Sequence, residues 1–115
     1  MRGVPLVVMM LALAGCEALP TPEPVLAAGA SADTACERAV VARAELARDE
    51  GAAAAESLDG DVYAACTYDE LVAANAKLAD GHRYTGDLNN HVGRRCLRLI
   101  SLYRGSRLCE SLPEG

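Results

Sequence analysis

Residues 87–105, DLNNHVGRRCLRLISLYRG, carry the strongest helical periodicity in the sequence. At 100° per residue, five apolar side chains of this stretch fall within an arc of about 80°, the pattern of a helix that buries one face. Asp87 is a residue type that caps helix N-termini, and Gly105 is a type that ends helices. The stretch therefore predicts an amphipathic helix between these two residues. Its apolar face comprises Leu88, Val92, Cys96, Leu99 and Tyr103, flanked by Ile100 and Leu102.

Two earlier helix starts are indicated by capping boxes, at residues 34–37 (TACE) and 67–70 (TYDE). Apolar stripes follow both boxes, and Gly81 is placed to end the second helix. The alanine-rich stretch 52–58 leaves open whether the first helix continues through Gly51 or restarts after it. Because no stretch alternates β-branched with polar residues, we expect an all-α fold, a small bundle of three or four helices.

The N-terminus has the layout of a secretory signal peptide, with Arg2 followed by an apolar run over residues 4–14. That run is shorter than the ~20 residues of a membrane-spanning helix. The next residues, Leu13-Ala14-Gly15-Cys16, resemble the lipobox of bacterial lipoproteins. This resemblance implies that Cys16 accepts diacylglycerol, becomes the first mature residue and carries a stable membrane anchor. The alternative is an ordinary signal-peptidase cut after Ala14, which would release a soluble secreted protein.

The chain then divides into three segments. Residues 1–15 are the expected lipoprotein signal peptide, and residues 16–32 are the lipidated cysteine with a flexible tether rich in proline and alanine. Residues 33–115 are the expected helical, disulfide-linked domain. The resemblance places this domain outside the cytoplasm, on either the cell membrane or an outer membrane.

The cysteine count supports this layout. Of five cysteines, lipidation of Cys16 leaves an even set for two disulfides in an exported chain. These bonds would reinforce a core that has no Phe and no Trp. The wide spacing and the lack of a C-x-x-C pair argue against a zinc site. Three pairings are possible, and an antiparallel second and third helix favour Cys36–Cys96 with Cys66–Cys109.

Charge is distributed unevenly along the domain. Residues 33–80 hold 11 acidic and 4 basic residues, whereas residues 81–107 hold one acid and six arginines. A possible contact surface on the third predicted helix would meet a protein partner or an anionic surface, and nucleic acid is not expected. This surface comprises His91, Arg94, Arg95 and Arg98. Alternatively, these arginines pair with acids of neighbouring helices: Glu45, Asp49, Asp69 and Glu70.

Other candidate sites have ordinary explanations. His82, Asp87 and His91 could bind a metal or move protons, but their spacing matches no known site. The sequence Asp59-Gly60-Asp61 lacks the further carboxylates of a calcium loop and fits a turn that ends a helix. Polar residues in two apolar stripes, Arg43 and Asn75, need only reach water or a backbone carbonyl.

These patterns predict a membrane-tethered lipoprotein outside the cytoplasm that acts as a non-catalytic interaction or structural module, with no cofactor and no bound metal. One alternative is an inhibitor or exclusion-type binding protein, which rests on size and location alone. The other is a metal-dependent sensor or enzyme that uses His82, Asp87 and His91.

Overall fold

A computed structural model describes residues 22–113, and these residues form helices and connecting turns without a β-strand. The predicted all-α fold with two disulfides is confirmed. The lipobox and Cys16 lie outside the described residues. In the described range no helix is both long enough and apolar enough to cross a membrane. The helices are α1 (Ala35–Glu50), α2 (Ala52–Ala55), α3 (Asp59–Ala65), α4 (Tyr68–Ala76), α5 (Leu88–Arg98), α6 (Ile100–Tyr103) and α7 (Arg107–Glu110), with 3-10 turns at Glu56–Leu58 and Asp80–His82.

The three predicted helix starts are confirmed. The hydroxyl of Thr34 accepts a hydrogen bond from the amide of Glu37, whose carboxylate accepts one from the Thr34 amide in return. Thr67 forms the same reciprocal pair at the start of α4. The Asp87 carboxylate accepts the Asn90 amide at the start of α5. Each cap satisfies amides that have no partner inside the helix.

The helix ends differ from the sequence prediction. Gly51 takes a φ of 97°, which ends α1 and lets α2 begin after it, so the helix does not continue through this residue. The prediction that Gly81 ends the second helix is wrong, because α4 already stops at Ala76. The predicted helix 88–104 is also interrupted, at Leu99, where φ is −112° and ψ is 38°.

An extended segment before α1 explains the early end of α4. The Ala79 amide donates to the carbonyl of Val25 at 2.8 Å, and the Ala27 amide donates to the carbonyl of Lys77 at 2.9 Å. These bonds hold the chain after α4 in an extended form. Val25 is only 3% exposed and belongs to the core. Part of the segment that the sequence assigns to a flexible tether therefore packs against the domain.

The C-terminal segment also packs against the domain. The sequence indicates no helix after Gly105, but residues 107–110 form α7 and Leu108 is fully buried. At the same end of the bundle, the rings of Tyr63 and Tyr103 stack with centroids 4.3 Å apart. These contacts partly compensate for a core without Phe or Trp.

The disulfides join Cys36 to Cys66 and Cys96 to Cys109, so the pairing favoured by the sequence is wrong. The prediction treated residues 59–61 as the end of a helix and omitted α3. In the structure α3 packs along α1 and brings Cys66, just past its end, beside Cys36 at the start of α1. The unpredicted α7 likewise brings Cys109 to the last turn of α5.

Candidate functional site

A buried carboxylate joins three helices at the centre of the domain. Asp59, the first residue of α3, is 3% exposed. Its Oδ1 accepts from Nε of Arg43 on α1 at 2.5 Å, and its Oδ2 accepts from Nη2 of Arg95 on α5 at 2.6 Å. The interpretation of Asp59 as part of a turn that ends a helix is therefore wrong. With both carboxylate oxygens bonded to arginines, the residue is also unsuited to bind calcium.

This cluster of Arg43, Asp59 and Arg95 carries one more positive than negative charge. The two arginine side chains remain partly exposed, at 37% and 26%. Burial acts to lower the pKa of Arg95, but the Asp59 charge and the nearby Tyr103 and Tyr63 hydroxyls outweigh it and raise the pKa. The guanidinium is therefore held in its charged form between a carboxylate and the tyrosine stack. Nε of Arg95 is buried and has no hydrogen-bond partner in the described part of the chain.

A partly open pocket of about 600 Å³ adjoins the cluster. Its volume is within the range of small-molecule sites, and its walls are mainly apolar. Apolar side chains of four helices contribute to the lining, among them Val40, Val62, Leu71 and Val92. In addition to the cluster, the polar lining includes Arg48, Asn75, His82, Arg83 and His91. The lining contains no serine, threonine or cysteine that could act as a nucleophile.

The three residues of the candidate metal site, His82, Asp87 and His91, do not line one common site. His82 and His91 both line the pocket, but Asp87 does not. Residues 22–113 contain no group of three or more His, Cys, Asp or Glu side chains placed to hold a metal ion. The ring of His91 stacks on Tyr84 with centroids 4.8 Å apart. Burial and the nearby Arg95 charge lower the pKa of His91, which favours its neutral form near pH 7.

The structure divides the predicted contact surface between two environments. His91 and Arg95 line the pocket, whereas Arg94 and Arg98 are exposed to solvent. No salt bridge within the described range involves Arg94 or Arg98. Of the acids proposed as their partners, Asp49 pairs with Arg48 and Glu70 with Arg107.

Three large apolar side chains are exposed in the same stretch of chain as the exposed arginines, and we call them the apolar strip. Leu97, Ile100 and Leu102 are 77%, 53% and 68% exposed. The interruption at Leu99 contributes to this exposure, because α6 turns so that Tyr103 is buried while Ile100 and Leu102 face solvent. We call the surface that combines this strip with the neighbouring exposed arginines the α5–α6 face. It comprises Arg94, Leu97, Arg98, Ile100, Leu102 and Arg104.

Sequence reasoning missed both the buried cluster and this apolar strip. Arg43 was a usable signal for the cluster, because it lies within an apolar stripe, where a polar group needs a partner. Asn75, the other such residue, bonds the backbone of Tyr84, to which it donates and from which it accepts at 2.9 Å. Comparison of the chain with protein-family models, curated proteins and solved structures finds no match in any of the three.

Proposed function

We propose that this chain is a lipoprotein, anchored through Cys16 to a cell membrane or an outer membrane and facing outside the cytoplasm, whose helical domain is a non-catalytic interaction module. One observation carries the anchor. The four cysteines of the described domain pair with one another, so Cys16 is the fifth cysteine and takes part in neither disulfide. It occupies the acceptor position in a stretch that resembles a lipobox. A multiply acylated cysteine holds a protein on a membrane far more firmly than a single chain does.

The interaction role is supported by the contrast between the two candidate surfaces. In the pocket, Asp59 and its two arginines are engaged with one another, and the lining contains no serine, threonine or cysteine. The α5–α6 face presents arginines and large apolar side chains to solvent. Exposed apolar side chains grouped in this way mark contact sites on small soluble domains.

The anchor is tested by feeding the native bacterium an alkyne-tagged fatty acid and following the tag through membrane fractionation. We expect the tag on the wild-type chain in the membrane fraction, and its loss in Cys16→Ser. Cys96→Ser is the matched control, because it removes a different cysteine and should keep the tag. Retention of the tag in Cys16→Ser, or an untagged wild-type chain in the culture fluid, would contradict the anchor.

A further inference from the structure

We propose that the α5–α6 face docks onto the anionic lipid surface that carries the anchor, and holds the domain flat against the membrane. This inference rests on the proposed function and names the partner of its contact surface. It combines three observations: exposed apolar side chains, interleaved arginines, and a short connection to the anchor.

The apolar part of the face is concentrated in one segment. Five large apolar side chains are exposed in the described range, and three of them lie within residues 97–102. The other two, Val72 and Tyr84, belong to α4 and to the loop before α5. Leucine and isoleucine that face water gain free energy when they enter the boundary between headgroups and acyl chains. The segment 97–102 therefore has an apolar surface of the kind that enters this boundary.

The charged part of the face matches anionic headgroups. Arg94, Arg98 and Arg104 are exposed around the apolar strip. Acids near the face include Glu56, which shares a shallow depression with Leu102 and Arg104, and exposed Glu110, which follows Cys109 of the disulfide to α5. The net charge of the whole chain is −5, but charges beyond about 8 Å are largely screened at physiological salt. The local excess of arginine therefore determines which side of the domain approaches an anionic surface.

The packed segment before α1 shortens the tether. Val25 is fixed in the core, so only nine residue steps separate it from Cys16, a reach of at most about 30 Å. With a lipid anchor on Cys16, the domain stays within one small-domain diameter of the bilayer. Such a short connection makes surface contact effectively intramolecular, so even a weak docking face is occupied.

The composition of the face favours lipid over a protein partner. Hot spots of protein interfaces are enriched in tryptophan, tyrosine and arginine, whereas leucine is under-represented among them. Tyr103, the aromatic residue of this segment, is instead buried against Tyr63. Helices that lie in the membrane interface combine arginine or lysine with leucine and other large apolar residues.

The test uses the oxidised mature chain, residues 16–115, with Cys16→Ser, so that docking is measured without an acyl anchor. Its co-sedimentation is compared for phosphatidylcholine vesicles with and without phosphatidylglycerol. We expect binding to the vesicles that contain phosphatidylglycerol, and weaker binding at high salt. Each arginine near an anionic surface contributes about fivefold to partitioning, so Arg94→Glu/Arg98→Glu should lower it by at least about 25-fold.

A second variant tests the apolar strip. Two control variants test whether vesicle binding depends on the α5–α6 face or on other parts of the surface. Leu97→Ser/Ile100→Ser should also lower partitioning, with no change in the unfolding midpoint, since both side chains are exposed. Arg38→Glu on α1 and Val72→Ser on α4 alter an exposed arginine and an exposed aliphatic residue elsewhere, and both variants should bind as the parent chain does.

Equal binding to both vesicle types, no binding to either, or equal effects of face and control variants would overturn the proposal. Loss of a protein partner in the face variants, without vesicle binding by the parent chain, would assign the face to protein recognition. Failure of the anchor itself would appear separately, as loss of the fatty-acid tag described above.

Discussion

Replacing Asp59 with alanine would leave two arginines without their shared carboxylate. Removal of one partner from a buried ion pair costs about 3–5 kcal/mol, largely because the remaining charge stays desolvated. The arginine side chains retain 37% and 26% exposure, so they can recover part of their hydration. We therefore expect the lower end of that range, a loss of about 3 kcal/mol in the free energy of unfolding for Asp59→Ala.

The assay is urea unfolding of the oxidised protein, with the slope and midpoint measured for each variant. Asp61→Ala is the matched control, because Asp61 lies in the same first turn of α3, shares its helix-dipole contribution and is exposed. The central role of the cluster would be refuted if Asp59→Ala and Asp61→Ala differed by less than about 0.5 kcal/mol. A double-mutant cycle with Arg95→Ala should then show coupling between the two residues, as expected for side chains in direct contact.

Three further predictions concern the disulfides, pH and the C-terminal helix. Replacing Cys36 and Cys66 by serine removes the bridge that spans 30 residues and should lower the free energy of unfolding by about 3.6 kcal/mol. Replacing Cys96 and Cys109, whose bridge spans 13 residues, should lower it by about 2.9 kcal/mol, and urea unfolding measures both losses. The salt bridge from Lys77 holds the pKa of Glu37 at about 2 rather than 4.5, so its contribution is complete above pH 4.5 and is lost as the pH falls toward 2. Glu37→Gln should therefore make the unfolding midpoint fall less steeply as the pH is lowered from 4.5 toward 2. An equally steep fall in this variant would contradict the role given to Glu37. Leu108→Ala should destabilise the domain by about 3 kcal/mol, whereas Leu102→Ala, at 68% exposure, should change it by less than about 0.5 kcal/mol.

The starts of the main helices were predictable because their signals are local. At Thr34 and Thr67, a hydroxyl and a glutamate three residues later satisfy each other's amides with no help from the rest of the fold. Asp87 caps α5 in the same short range. The all-α class followed from these caps and from the periodic apolar stripes.

The remaining features depend on contacts between distant segments. The early end of α4 results from pairing with residues 25–27, which no local pattern indicates. The triplet that begins at Asp59 resembles a turn, but Asp59 begins a helix, and its partners Arg43 and Arg95 reach it from two other helices. Once α3 is omitted, cysteine spacing cannot identify the pairing, since all three connectivities fit an even set of four.

The central claim is that one cysteine carries lipid and the other four form two bridges within the domain. Intact mass spectrometry of the protein extracted from its native membranes, after treatment with a thiol-alkylating reagent, measures both parts at once. We predict a chain that begins at Cys16, carries two or three acyl groups and takes up no alkylating reagent. A lipid-free mature chain, or one with alkylated cysteines within residues 36–109, would contradict the claim.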